Sequence, residues 1–393
     1  MSAFTNTAIA MVCGLVLLLG GIWLGGHPES LPDPVREALV DEDRALRAEI
    51  VDSIKDNFYK KTRESDIQES SLKGIVEGLD DRFSHYLTPE EAKEFEQSVA
   101  GEFEGVGMNV EEDPRGLRVT RVFEGTPAEK AGIDQGDYIT AVDGKSLAGV
   151  SSDVATSRIK GEAGTRVKLE VVDPKTGGTR TLELTRAKIQ VPVAEGKIRT
   201  VGDTDYGVVS LSTFSEGAHG KVRTEVDRLL REGAEGLVLD LRGNGGGLLS
   251  EAVLVSSQFI EDGLVTFTKG RTRPRREFDA EGDAIDASIP VVVLVDRGSA
   301  SASEIVTGAL RDSKRATVVG ARTFGKGVFQ EVETLSNGGV LDITVGEYFL
   351  PSGENIGMKG IKPAVTAKDD PDTDNDEALP KALRILAEKA ASP

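Results

Sequence analysis

Hydrophobic positions along this chain change their spacing from region to region, and the changes divide it into parts. Residues Ala8 to Gly26 (AIAMVCGLVLLLGGIWLGG) carry no charged side chain, and a helix of about 20 apolar residues crosses a bilayer. The spacing therefore predicts a membrane anchor over 8–26, with a cleaved signal segment as the alternative, because Gly25 and Gly26 precede the polar HPES. From Val35 to Val99 apolar residues recur at helical spacing, as in Ile50, Ile54 and Phe58, among many Leu, Ala, Glu, Lys and Arg. That pattern predicts a helical region over 35–99. Between residues 100 and 190 short β-like runs such as LRVTRVF, DYITAVDG and RVKLEVVD are punctuated by Pro174 and Gly177–Gly178, as in a small β-rich module. From 191 to 368 apolar strands (YGVVSLS, GLVLDLRG, IPVVVLVD, ATVVGA) alternate with helical patterns (KVRTEVDRLLRE, SASEIVTGALRDS), the order of an α/β domain. An acidic run and a final helix, EALPKALRILAEKAA, fill 369–393.

Composition removes several classes of function. At 393 residues and 38% hydrophobic content the chain can bury more than one core. A formal net charge of −19 repels phosphate backbones, which argues against nucleic acid as a partner. The single cysteine, Cys13, falls in the apolar segment, so disulfides, clustered thiolate metal sites and cysteine catalysis are all excluded. No cofactor is called for. The acidic run DDPDTDNDE fails as a calcium loop, with Asn375 at the glycine position and Lys381 at that of the bidentate glutamate. The basic cluster RTRPRREF (Arg271–Phe278) reads as a solvated hairpin.

The chemistry is then sought in the α/β domain. None of the three histidines, His27, His85 and His219, lies in a setting that marks a general base, and a serine hydrolase without histidine can use lysine. Ser301 stands where the strand IPVVVLVD gives way to the helix SASEIVTGALRD, so its hydroxyl meets the N–H groups of a helix start, with Ala302 N–H a natural oxyanion donor. The same residues spell S-x-x-E, a helix capping box, and the segment alone does not decide between the two. In TFGKGVFQ, Lys326 lies between two glycines, with Gln330 four residues on. An ordinary lysine, with a pKa of about 10.4, is protonated at neutral pH, so a basic Lys326 must be desolvated by burial. DLRGNGGGLL (Asp240–Leu249) is a glycine-rich turn after a buried strand that fits neither a dinucleotide fingerprint, because position 248 is Leu248, nor a Walker loop.

Taken together, GSASASEI, TFGKGVFQ, DLRGNGGGLL and LDDRFSHYL resemble the carboxyl-terminal processing, or tail-specific, serine peptidases. The spacing of serine and lysine in that family is 25, and here 326 − 301 = 25. The resemblance implies a ClpP- or crotonase-like α/β core with an inserted PDZ domain and an N-terminal helical segment. It also implies Ser301 as nucleophile, Lys326 as general base, Gln330 as the partner that orients it, and oxyanion donors from Ala302 and the glycine pair at 246–247, with Gly246 as the expected donor. FEGVGM and PAEKAGIDQGDYITAVDG resemble the PDZ domain of such proteases. Gly105, Val106 and Gly107 would then hold the carboxylate of a protein or peptide with a free C-terminus, while the peptide adds as a strand. The implied protein is an endopeptidase that is membrane-anchored with its catalytic part extracytoplasmic, and it leaves a homo-oligomer open. Two rivals remain, a non-catalytic membrane-tethered PDZ adaptor and a crotonase-like acyl-CoA enzyme.

Overall fold

The computed structural model describes residues 42–58, 60, 62–367 and 376–390. The expected anchor at 8–26 and the acidic run over 369–375 lie outside the described residues. No described helix is long and apolar enough to cross a membrane. The chain divides into two units, Met1–Asp80 and Asp81–Pro393. In the first, helices Glu42–Asn57 and Glu64–Glu77 are joined by an ion pair from Lys55 to Glu64 at 3.2 Å.

The second unit is built on a six-stranded sheet. Its strands, from one edge to the other, are Ala194–Val201, Thr204–Leu211, Leu237–Asp240, Val291–Val295, Ala316–Gly320 and Val365–Thr366, with the first pair antiparallel and the rest parallel. Parallel strands covered on both faces read as continuous apolar runs, and VVVLV does so because alternate side chains serve opposite layers. Val291, Val293 and Val295 join helices Ala218–Arg231, Leu249–Ser257 and Ala302–Asp312 in one core. Val292 and Leu294 face the other way, toward Ala382, Leu383 and Leu386 of the C-terminal helix Ala378–Ala390.

A second sheet joins His85–Leu87, Val340–Phe349, Leu264–Lys269 and Arg276–Asp279, with Val328–Thr334 paired to Val340–Phe349. His85–Leu87 departs from the all-helical expectation for 35–99, because its backbone pairs with Val340–Asp342, a contact across some 255 residues that local periodicity does not encode. The basic cluster takes the hairpin form expected of it, with Arg273 paired to Glu331 and Arg275 to Glu277.

The β-rich module leaves and returns through a two-stranded ribbon, Glu102–Gly105 with Ala187–Gln190. Between them lies a sheet in the order Met108–Asp113, Gly116–Val122, Tyr138–Val142, Arg166–Val172, Thr179–Thr185, packed with helix Ser152–Ile159 around a separate core that includes Leu117, Ile139 and Leu169. Met108–Asp113 is an edge strand of that sheet.

Candidate active site

The chain's three closely spaced serines meet three different fates. Ser299 and Ser303 have 0% exposure, and their hydroxyls are committed to main-chain carbonyls, Ser299 Oγ to Leu241 at 2.7 Å and Ser303 Oγ to Asn244 at 2.8 Å. Ser301 is half-buried and lines a cavity of about 380 Å³. It caps helix Ala302–Asp312 from a backbone conformation of φ 54° and ψ −113°. That region is unfavourable for a side-chain-bearing residue by about 1–3 kcal/mol and persists only where surroundings enforce it. A strained strand-to-helix turn that presents a serine is the geometry of a nucleophile elbow.

The contacts around this turn are polar. Asp296 Oδ1 accepts the N–H groups of Gly243 (2.9 Å), Gly298 (2.9 Å) and Ser299 (3.0 Å), tying the glycine-rich loop to the nucleophile turn. Asn244, also at 0% exposure, donates its amide to the Leu211 carbonyl at 2.8 Å and receives Ala300 N–H on its own carbonyl at 3.0 Å. Gly246 adopts φ 108°, and a Cβ there would stand 2.8 Å from Ser301 Cβ and 3.1 Å from Ala302 N. Only glycine allows that approach.

Ala302 N–H opens the helix and lines the same cavity, as expected for an oxyanion donor. For Gly246 the structure requires a correction. Its N–H donates to Asn244 Oδ1 at 2.9 Å, so it is not available to an oxyanion. Gly247 is the better donor of the pair, since it lines the cavity and its N–H makes no hydrogen bond among the described residues.

Lys326 and Gln330 line this cavity with Ser301. Burial pushes the Lys326 amine below the ordinary lysine range, and the carboxylates of Asp342 and Asp81 act against that push. The ammonium nitrogen lies 5.0 Å from the centre of the Phe83 ring. Among the described residues no hydrogen bond joins the amine to Ser301. Gln330 donates its amide nitrogen to Thr344 Oγ1 at 2.9 Å rather than engaging the lysine through that nitrogen. Of the histidines, His85 stands in register with Asp342 on the neighbouring strand, and His219 bonds Glu251 through Nδ1 at 2.8 Å. Neither lines the cavity.

Two contributors escaped the sequence reading. Glu304, read there as half of a capping box, is a carboxylate at 0% exposure whose contacts reach well beyond its own helix. LDDRFSHYL, used only as a family marker, supplies Asp81 and Phe83 beside the lysine, because pairing of His85–Leu87 with Val340–Phe349 carries that segment there. The S-x-x-E spacing was the only available signal for Glu304, and no local signal existed for Phe83.

In the β-rich module Gly105, Val106 and Gly107 line a groove of about 520 Å³ beside the free edge of Met108–Asp113, with Phe123, Ile159 and Lys160 around it. The carbonyls of Val106 and Gly107 receive Ala128 N–H (2.8 Å) and Phe123 N–H (3.0 Å), whereas the N–H groups of these two residues donate to nothing among the described residues. Unpaired N–H groups at the head of an open strand edge suit a terminal carboxylate.

Comparison with known proteins identifies the family. Residues 205–367 match the model of peptidase family S41, and residues 96–172 match the PDZ domain. The carboxy-terminal processing protease CtpA of Bacillus subtilis is 35% identical over 318 residues, 81% of this chain and 67% of that protein. A probable CtpA-like serine protease of Staphylococcus aureus is 35% identical over 312 residues, 79% of this chain and 62% of that protein, so the match spans less than two thirds of the staphylococcal relative. Among solved structures, a photosystem II D1 C-terminal processing protease matches with 31% identity and a TM-score of 0.50, covering 90% of this chain and 99% of that one. The fold is shared with an S41 protease of Bacteroides fragilis, at 19% identity and a TM-score of 0.54 over 84% of this chain and 91% of that one. The chain belongs to peptidase family S41, among its PDZ-bearing carboxyl-terminal processing proteases.

Proposed function

We propose that this chain is a serine endopeptidase that grips the C-terminal tail of a protein in its PDZ groove and cleaves upstream by a Ser-Lys mechanism. The observation that carries the reading is the sorting of the serine trio. Ser301 alone opens onto a cavity that also holds a desolvated lysine, while Ser299 and Ser303 are buried and engaged. Apo catalytic contacts are often long and tighten only with substrate bound. Both side chains line one cavity, and the four-carbon stem of Lys326 is flexible.

In the forward step the neutral Lys326 amine takes the proton of Ser301 Oγ as that oxygen attacks the scissile carbonyl. The N–H groups of Ala302 and Gly247 receive the oxyanion. Collapse of the tetrahedral species sends the proton from Lys326 to the leaving amine and leaves an acyl-enzyme on Ser301, which water then hydrolyses with the same amine as base. Gln330 borders the lysine and steadies it once substrate has closed the gap. In the PDZ module, Gly105, Val106 and Gly107 hold the tail's carboxylate.

Labelling with a fluorophosphonate probe tests the reading directly. Ser301 should be labelled in the unaltered chain and unlabelled in Ser301→Ala, and Lys326→Ala should label far more slowly while keeping its fold. A Lys326→Ala variant that labels and cleaves as fast as the unaltered chain would sink the mechanism. Absence of any labelling or cleavage in a folded, intact chain would favour a non-catalytic PDZ adaptor. The uncharged run at 8–26 supports membrane anchorage, and the peptidase is proposed to lie on the extracytoplasmic side. Fractionation should find the full chain in the membrane and a chain lacking residues 1–34 released, and a full chain found in the soluble fraction would refute the anchor.

A further inference from the structure

A fully buried carboxylate is costly to keep, and side chains of this type are almost never buried without specific partners. Glu304 has four such partners on two separate segments. Its Oε2 accepts Ser301 N–H at 3.0 Å and Lys326 N–H at 3.0 Å. Its Oε1 accepts Gly325 N–H at 2.8 Å and the Thr323 hydroxyl at 2.5 Å. Thr323 Oγ1 itself receives Ile361 N–H at 2.7 Å, which leaves its proton for Glu304. Burial pushes the Glu304 carboxyl up and these four hydrogen bonds pull it back down; all four partners donate, so the ionised carboxylate satisfies every one of them, and a protonated oxygen would set a donor against a donor. A helix cap needs the first of these contacts and none of the other three.

We propose that Glu304 is a positioning residue that binds the nucleophile turn at Ser301 to the lysine loop Thr323–Lys326, so that the backbone segments carrying serine and base are held at one separation. This role rests on the Ser-Lys reading for its catalytic consequence, though not for its structural one. One further tie joins the segments, Phe324 N–H to the Ser299 carbonyl at 3.0 Å, but it leaves the N–H groups of Gly325 and Lys326 unheld. Glu304 thus fixes the backbone on both sides of the reaction, holding Ser301 in its strained conformation from one oxygen and the base of the Lys326 side chain from the same oxygen. Tyr348 completes the arrangement. Its hydroxyl donates to the Ser301 carbonyl at 3.5 Å, and burial together with the nearby Glu304 charge keeps that phenol protonated.

The test is Glu304→Gln in the otherwise unaltered chain, which keeps the shape but turns one acceptor oxygen into a donor facing N–H groups. Two measurements read it. Amide hydrogen exchange across residues 299–303 and 323–327 should speed up by about tenfold or more while the PDZ module is unchanged. Cleavage of a tail-bearing peptide should lose about 100-fold in kcat, with KM within about threefold, because misplacing reacting groups by about 1 Å costs that much. The midpoint of the acid limb of the pH profile should stay where it is, since the charges that face the Lys326 amine are Asp342 and Asp81 and not Glu304. Unchanged exchange, or kcat within about threefold of the unaltered chain, overturns the proposal. So does a loss matched by collapse of thermal stability and of tail-peptide binding, which would mark a general structural role. If Glu304→Gln does not fold, Thr323→Val removes one of the four donors, and a kcat unchanged by it is equally fatal. Should Lys326→Ala prove fully active, the Ser-Lys reading falls, and the exchange measurement still decides whether Glu304 joins the two segments.

Discussion

The catalytic cavity and the PDZ groove solve related problems with unequal amounts of polar structure. In the proposed function each presents backbone N–H groups to an anionic oxygen, a transient oxyanion in one and a tail carboxylate in the other, and each contains a glycine with positive φ, Gly246 at 108° and Gly107 at 91°. Around the groove the support is mainly an apolar core and a free strand edge. Around the cavity, Asp296, Asn244, Ser299, Ser303, Glu304 and Thr323 are engaged in short hydrogen bonds to main chain or to each other, nearly all within the protein. Capture needs only a row of donors and a strand edge that a peptide can extend. Acyl transfer needs hydroxyl, amine and two donors fixed at once, and buried polar networks supply the rigidity that apolar packing lacks.

The contrast can be broken most severely at the nucleophile. Ser301→Ala should lower kcat by roughly 10⁴-fold or more while leaving tail-peptide affinity untouched. Measured by steady-state cleavage alongside calorimetric binding, a loss of affinity of similar size would mean that the two regions are not separable. Gly246→Ala comes next. Its Cβ would press on Ser301 Cβ at 2.8 Å and on the Ala300 carbonyl at 2.9 Å, so kcat should drop by about 100-fold with KM nearly constant. A variant of normal kcat would show that the loop yields without disturbing the serine.

The matching substitution in the groove should have the opposite signature. Gly107→Ala would place a Cβ 2.3 Å from Thr126 Cβ at φ 91°, distorting the carboxylate loop. KM for tail-bearing proteins should rise by about tenfold, while kcat at saturation and the rate on an untethered short peptide hold steady. Amidating the substrate's C-terminus should have an effect of similar size in the unaltered chain and little in the variant, since a charge-assisted hydrogen bond is worth about 1.5–3 kcal/mol. Equal KM for acid and amide would remove the carboxylate from the groove.

How far the sequence foretold these regions follows from how local their determinants are. Strands such as VVVLV and the helix after Ser301 are written in short-range periodicity, and the spacing of Ser301 and Lys326 with the motifs around them pointed to the family. The groove glycines were legible because FEGVGM sits on one short stretch of chain. What stayed hidden depends on distant pairing. Phe83 and Asp81 reach Lys326 only because His85–Leu87 pairs with Val340–Asp342, and in Val328–Thr334 of the same sheet charged residues interrupt the apolar alternation. Gly246 was misread as a donor because sequence supplies the glycine but not the Asn244 side chain that occupies its N–H. Glu304 was visible only as half of a cap, its other three bonds arising from a loop about twenty residues on.

The finest distinction between the regions concerns charge, because only the cavity must tune a proton acceptor. Burial lowers the pKa of the Lys326 amine, and Asp342 and Asp81 pull it back up. In the proposed mechanism the amine is active when neutral, so kcat/KM should rise as pH rises through that lowered value and level off above it. Asp342→Asn removes one of the two opposing charges and leaves burial in place. The protonated form of Lys326 then loses support, its pKa falls further, and the acid limb should move to lower pH. Tail binding in the groove, where no lysine must lose its proton, should show no such displacement. A limb that stays fixed, or moves to higher pH, would mean that the titrating group is not Lys326 in this acidic setting.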